Sequence, residues 1–146
     1  MDPSFSAAEL DAWGGLLRTH AVLDQVMDAD LRKHDGLRHV EFEVLLRLTY
    51  APGTRMRIQE LADASLLSRS GTSRLVDRLE TAGLVTREAA TEDGRGAYAV
   101  LTGAGRDTFE RIKPRHIALV RERFLDRLTP EDIAALGRIW AKVTWP

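Results

Sequence analysis

The sequence predicts a mainly α-helical protein that carries one small β-hairpin. Apolar residues recur at helical spacing over both ends of the chain, and the apolar period changes to two after Gly83. With 146 residues, 44% hydrophobic and 29% charged, the chain has the composition and length of one globular domain, residues 1–146. It contains no cysteine, which excludes a disulfide scaffold, a cysteine-based zinc finger and a thiol redox sensor.

Long amphipathic helices are predicted at both ends, over residues 6–34 and 102–146. At 1.5 Å per residue the first would be about 42 Å long, longer than the core of so small a chain. Pro114 lies within the second segment, where we expect a kink, and Thr129 begins a last helix. Packing within the monomer is the alternative, but the two apolar stripes, with Trp140 and Trp145 at the far end, favour dimerisation helices.

The middle third, residues 38–101, has the order helix, helix-turn-helix, hairpin. A helix over 38–50 is apolar all round and should lie at the centre of the domain. A short helix over 56–64 and a three-residue connection lead to a helix from Ser68 to about Ala82, with Gly83 as its cap. Strands over 84–88 and 97–101 then form a wing, so the sequence predicts a winged helix-turn-helix.

The helix from Ser68 has one packing side and one side that is hydroxylated and basic near its N-terminus. A helix N-terminus favours phosphate, hydroxyls bond base edges or phosphates, and arginine can bond guanine bidentately. Thr72 falls among the packing positions, but its hydroxyl makes it a candidate contact as well. The candidate DNA contacts on this helix are Ser68, Arg69, Ser70, Thr72, Ser73, Arg74 and Arg78.

The tip of the hairpin supplies two further candidates, Asp93 and Arg95. An arginine on a wing can enter the minor groove, where the negative potential is high. An aspartate two residues away can pair with that arginine and hold its direction.

These segments resemble the MarR (multiple antibiotic resistance regulator) family. The resemblance rests on Leu61-Ala62, the run from Ser68 to Glu80, Gly83-Leu84-Val85, Asp93-Gly94-Arg95 and the run from Leu101 to Gly105. It implies a homodimer built by the terminal helices, in which each subunit's winged helix binds half of a pseudo-palindromic DNA site, usually as a repressor.

By position, the resemblance places three residues in the major groove, two on phosphates and one in the minor groove. These are Ser70, Ser73 and Arg74, then Ser68 and Arg78, and finally Arg95. The wing, Asp-Gly-Arg-Gly, departs from the pattern because many relatives have a further arginine there. A weaker or more mobile grip on DNA is expected from this difference.

Trp13 and His20 lie on one face of the first helix, where core or dimer packing is the simplest interpretation. A sharper one makes them, with His39, the wall of a pocket for a flat aromatic or phenolic effector. Some relatives that sense urate or aromatic compounds carry a tryptophan in this helix. His34 and His39 lack the further ligands of a zinc site, so neither a metal nor another cofactor is expected.

Charge and the absence of certain motifs decide which other functions, such as catalysis or membrane insertion, remain to be considered. No G-x-S-x-G, H-E-x-x-H or phosphate loop is present, so an enzyme is not expected. No apolar run suits a membrane, and the start has no export signal, so we expect a cytoplasmic protein. The net charge is −1, and residues 55–95 hold seven arginines and seven acids. That balance leaves one alternative open, a winged-helix module that binds a ligand or a protein but no DNA.

Overall fold

The structure is a computed structural model that describes residues 4–65, 69–91 and 95–143. The chain divides into two compact units, Met1–Ile112 and Lys113–Pro146. The assignment of residues 1–146 to a single domain therefore stays a prediction. The helices are α1 (Ala7–Asp35), α2 (His39–Tyr50), α3 (Ile58–Ser65), α4 (Arg69–Thr81), α5 (Gly103–Arg123) and α6 (Pro130–Val143). The strands are β1 (Arg55–Arg57), β2 (Val85–Ala89) and β3 (Ala97–Leu101). In these described ranges, no helix is long and apolar enough to cross a bilayer.

Helix α1 begins at a reciprocal cap. The Ser6 hydroxyl accepts a hydrogen bond from the Glu9 amide (3.3 Å), and the Glu9 carboxylate accepts one from the Ser6 amide (2.8 Å). Hydrogen bonds from the Ser6 side chain and backbone hold the pKa of Glu9 below its usual value. The helix ends at Gly36, whose φ of 67° is the left-handed conformation that glycine tolerates best.

Helix α2 contributes to the core of the first unit, as predicted, although Leu46 and Tyr50 on one face are exposed. Val44, Leu45 and Leu48 are fully buried. The Phe42 ring stacks on Phe109 of α5, with 5.5 Å between the ring centroids.

The predicted start of the third helix is wrong. Arg55 to Arg57 form β1, which pairs antiparallel with β3 and extends the predicted hairpin to a sheet of order β1-β3-β2. The Glu60 carboxylate accepts a hydrogen bond from the Arg57 amide (3.0 Å), so the helix begins only at Ile58. A helical apolar pattern does not report a pairing partner more than 40 residues away, which is why this strand was missed.

Gly83 caps the end of α4, as predicted. Helix α4 itself ends at Thr81, and β2 covers 85–89 rather than 84–88. The Gly83 amide donates to the Glu80 carbonyl and the Leu84 amide to the Leu79 carbonyl, both at 2.9 Å. With a φ of 74° at Gly83, these bonds form a Schellman motif. This motif turns the chain directly from α4 into the wing.

The sequence predicts that the helix after Thr102 runs to about residue 127, but α5 is shorter. It contains Pro114 and ends at Arg123, and a 3-10 turn at Leu125–Arg127 follows instead of further α-helix. In the second unit, α6 begins as predicted: the Thr129 hydroxyl accepts from the Asp132 amide (3.2 Å), and the Asp132 carboxylate accepts from the Thr129 amide (2.9 Å). These contacts with Thr129 hold the pKa of Asp132 below its usual value.

Candidate nucleic-acid interface

The rotation of α4 about its axis is set by four buried side chains, of which Leu75, Val76 and Leu79 are at most 1% exposed. The fourth is Thr72, which is fully buried at 0% exposure. A side chain in that position faces away from solvent, so its burial argues against a contact with DNA. We therefore correct the sequence-based candidate set by removing Thr72.

The opposite side of α4 presents Ser70 and Arg74 to solvent. The Arg74 Nε donates to the Ser70 carbonyl oxygen at 3.3 Å, so the guanidinium lies back along the first turn of the helix. The cationic side chain therefore lies beside the helix end that carries partial positive charge. Together they make the N-terminal half of α4 a surface suited to anions and to acceptor atoms of bases.

Arg87 of β2 hydrogen-bonds to the flank of α4 that carries Ser73. Its Nη2 donates to the Ser73 carbonyl (2.9 Å) and to the Ser73 hydroxyl oxygen (3.1 Å). Its Nη1 contacts the carboxylates of Asp77 and Glu80. Arg87 is not among the residues predicted from the sequence. A signal was available, because strand alternation places it on the same face as the buried Val85.

Arg78 is held on another flank of α4. Its Nε donates to Glu41 Oε1 at 2.9 Å, and the Glu41 side chain is only 7% exposed. Glu41 also accepts a hydrogen bond from the Arg38 amide (2.8 Å) at the start of α2. Arg78 thus joins α4 to α2, while about half of its side chain stays exposed.

Arg95 is exposed and precedes β3, whose pairing with β2 fixes the base of the wing. Asp93 and Ser68, both candidate contacts, lie outside the described residues, as does Trp145. For Arg69 the structure describes only its place as the first residue of α4. Of the nine candidates, the structure therefore brings Ser70, Ser73, Arg74 and Arg78 together on α4.

Trp13 and His20 are exposed on α1, and Trp13 is 53% accessible. The third effector candidate, His39, lies beyond His20 along α1: its amide donates to Asp28 Oδ1 (2.9 Å) and its Nδ1 lies 2.7 Å from Asp24 Oδ1. Eleven residues of helix, roughly 16 Å, separate Trp13 from Asp24. The structure does not bring His39 to Trp13 within one chain.

Two open grooves in the first unit have other linings. One, of about 450 Å³, is lined by residues that include Glu41, Asp77 and Arg78. The other, of about 630 Å³, is lined by residues that include Tyr50 and Tyr98. In the part of the chain that the structure describes, no three histidine or acidic side chains cluster as metal ligands would.

The helix-turn-helix formed by α3 and α4, together with a three-stranded wing, places the protein in the class of winged helix-turn-helix proteins. Residues 35–96 match the model of the MarR family. The structure is similar to AbsC, a MarR family transcriptional regulator from Streptomyces coelicolor, with a TM-score of 0.87, 36% identity and coverage of 96% of this chain and 94% of AbsC.

A second MarR family regulator from Streptomyces coelicolor, Sco3205, was solved in complex with DNA. It superposes with a TM-score of 0.89 at 35% identity, over 98% of this chain and 89% of the relative. The transcriptional repressor YetL of Bacillus subtilis is 30% identical over 112 residues, 75% of this chain and 67% of YetL. The chain belongs to the MarR family and is a transcriptional regulator rather than an enzyme, as its sequence predicted.

Proposed function

We propose that the protein is a homodimeric repressor that binds a pseudo-palindromic site in duplex DNA. Each subunit inserts α4 into the major groove and Arg95 of the wing into the minor groove. The exposed side of α4, with Ser70 and Arg74 beside the helix N-terminus, is the observation that carries this proposal. The DNA complex of the 35%-identical relative supports it.

Exposed apolar side chains support the dimer. On α1, Leu10, Trp13 and Leu17 are each more than half exposed, and on α6 Ile139 is 46% and Trp140 41% exposed. Apolar stripes of this kind mark surfaces that associate. A symmetric dimer of these helices presents two copies of α4, which suits a two-fold DNA site.

Within the interface, Arg74 bonds a base edge and Ser70 and Ser73 supply hydroxyls. The Nη atoms of Arg78, whose Nε is held by Glu41, contact a phosphate, and Ser68 does the same. Arg69 and Asp93 are retained from the sequence-based set, with Asp93 orienting Arg95. The near-neutral charge of the chain predicts weak non-specific binding, because phosphate contacts supply most of it.

We further propose that a small aromatic or phenolic effector releases the protein from DNA in the cytoplasm. Trp13 and His20, both on α1, form a wall of its site, and a bound effector shifts the population of dimers toward a spacing of the two α4 helices that does not fit DNA. The relative YetL is a transcriptional repressor, which supports repression rather than activation for this protein. His39 is retained at the far edge of this wall, because its Nδ1 lies 2.7 Å from Asp24 Oδ1, one helical turn beyond His20.

The test begins with selection of bound duplexes from a random pool, followed by affinity measurements on the selected site. We expect Arg74→Ala to lose about 1–3 kcal/mol there and little on unrelated DNA. Arg95→Ala should weaken binding without unfolding the protein. Arg106→Ala, which removes an exposed arginine of α5, is the matched control. A uniform loss over all sequences would assign Arg74 to phosphate.

The pool experiment also separates the two function classes. A protein that enriches no sequence, even at low salt, would be a winged-helix module that does not bind DNA.

A further inference from the structure

We propose that Arg87 is a positioning residue for base recognition: it fixes Ser73 as a hydrogen-bond donor toward DNA. This inference rests on the proposed function, since it concerns the side of α4 that faces the major groove. It assigns a specificity role to a residue of the wing strand β2 whose own side chain does not need to touch DNA.

The geometry ties one guanidinium to both oxygen atoms of Ser73. Nη2 of Arg87 lies 2.9 Å from the Ser73 carbonyl oxygen and 3.1 Å from the hydroxyl oxygen. The Arg87 side chain is only 27% exposed, and its Nη1 contacts the Asp77 and Glu80 carboxylates. The Arg87 amide also donates to Glu80 at 3.3 Å. Five contacts with α4 therefore fix the direction from which Arg87 approaches Ser73.

This arrangement restricts what the serine can do. A serine hydroxyl has one donor hydrogen and two acceptor lone pairs, whereas a guanidinium can only donate. The hydroxyl oxygen therefore accepts from Arg87 with one lone pair and keeps its hydrogen and a single lone pair, which shifts it toward donation. Among the described residues, Arg87 is the partner of the Ser73 hydroxyl. A bond from a cationic donor also polarises the hydroxyl, which makes it a better donor.

A donor at this position favours base edges that carry acceptors. In the major groove these are N7 and O6 of guanine, N7 of adenine and O4 of thymine, whereas the exocyclic amino groups of adenine and cytosine donate. Without Arg87, the hydroxyl can rotate to accept from an amino group as readily as it donates. Removal of Arg87 should therefore blur the preference at one base pair rather than abolish binding.

The experiment measures affinity for the selected site and for each of its single-base-pair substitutions. The proteins are the wild type, Ser73→Ala, Arg87→Met, the double variant and the matched charge-loss control Arg106→Met. We expect Ser73→Ala and Arg87→Met to lose the preference at the same base pair, each by about fivefold or more. The double variant should lose no more than either single variant, and Arg106→Met should keep every preference.

A purely structural role for Arg87 predicts something else. Arg87→Met would then weaken binding at all positions alike, and its effect would add to that of Ser73→Ala; either result would overturn the proposal. Arg87→Lys provides a second route should the methionine variant not fold. It keeps the charge but cannot bridge Ser73, Asp77 and Glu80, so an unchanged preference in this variant would also overturn it. Failure of the wild type to select any sequence would instead refute the proposed function.

Discussion

Gly105 lies where the start of α5 crosses the beginning of the wing. A Cβ atom at this position would lie 2.1 Å from the Leu84 carbonyl oxygen and 2.8 Å from Leu101 Cδ1. Backbone atoms cannot yield as a flexible side chain can. We therefore expect Gly105→Ala to lower the free energy of unfolding by about 1–3 kcal/mol, measured by urea denaturation, as overpacking of a core does.

Gly103 provides the control for this change. It occupies the same first turn of α5, and a Cβ there would meet nothing within 4 Å. Gly103→Ala should leave the stability unchanged or raise it by up to about 1 kcal/mol, because alanine has less conformational freedom in the unfolded chain. Equal losses in both variants would show that helix geometry, and not the crossing, is responsible.

Arg78 can be tested for a structural role that the family resemblance does not include. Its removal leaves the Glu41 carboxylate, 7% exposed, without its cationic partner. We expect Arg78→Met to cost about 1–3 kcal/mol of unfolding free energy, the usual cost of a buried polar group that loses its partner. Arg74→Met, on the exposed side of α4, should be nearly neutral. Matching stabilities in these two variants would leave Arg78 with the phosphate role alone.

Side-chain types on α4 could be predicted from the sequence, but their partners could not. The helical period alone identifies the buried Leu75, Val76 and Leu79 and the exposed Arg74. The engagement of Ser73 by Arg87 and of Arg78 by Glu41 depends on elements that are distant in the chain. A periodicity argument carries no information about such contacts, which is why none of these four residues was given its partner and why Arg87 and Glu41 were given no role.

At the scale of elements, strong periods and caps were predictable and pairing was not. Helices α1, α2 and α6 begin within one residue of their predicted starts, because Ser6 and Thr129 are strong caps and the apolar periods are long. Strand β1 has three residues and is specified by its register against β3. The end of α5 was missed since the residues after Arg123 continue an apolar pattern, although the backbone leaves the helix at Phe124, with φ −136° and ψ −66°.

The hydrogen bond between Asp28 of α1 and the His39 amide of α2 should make the free energy of unfolding depend on pH. The hydrogen bond from the His39 amide, and then the neighbouring Arg32, hold the pKa of Asp28 below its usual value. A lowered carboxyl pKa means that the charged form stabilises the folded state. This contribution is present above the unfolded pKa of about 4 and is lost as the pH falls through the lower, folded pKa.

Asp28→Asn tests this linkage, since asparagine keeps an acceptor for the His39 amide but cannot titrate. We expect a lower melting temperature than wild type at neutral pH and a gap that narrows as the pH falls from about 5 to 3. Asp11→Asn, an exposed change on the same helix, is the control and should follow the wild-type curve. A gap of constant size would mean that the charge of Asp28 adds no stability.

For the whole molecule, the sequence predicted association from the length of the first helix and from the apolar stripes of the two terminal segments. Helix α1 has 29 residues, yet only Met27 and Leu31 near its C-terminal end are buried. The apolar side chains along the rest of α1 are therefore available to a second copy. A net charge of −1 gives little general attraction to DNA, so in the proposed dimer two simultaneous half-site contacts supply the affinity that charge does not.

If both half-sites must be bound at once, the affinity for DNA should depend strictly on the spacing of the half-sites. Two copies of α4 fill successive major grooves only when the half-sites are about 34 Å, or one turn, apart on the same DNA face. Inserting about five base pairs turns one half-site to the opposite face. We expect binding to fall at least about tenfold, to the level of a duplex with one half-site, in a fluorescence anisotropy titration.

The variant Trp13→Glu provides the control, since a charge on the exposed stripe of α1 should disrupt the dimer, as sedimentation can verify. We expect this variant to bind the intact, the expanded and the single-half-site duplex with the same low affinity. A wild-type protein that is indifferent to the insertion while remaining dimeric would bind through one subunit at a time. The two copies of α4 would then not act together, and the exposed stripes of α1 and α6 would need another explanation.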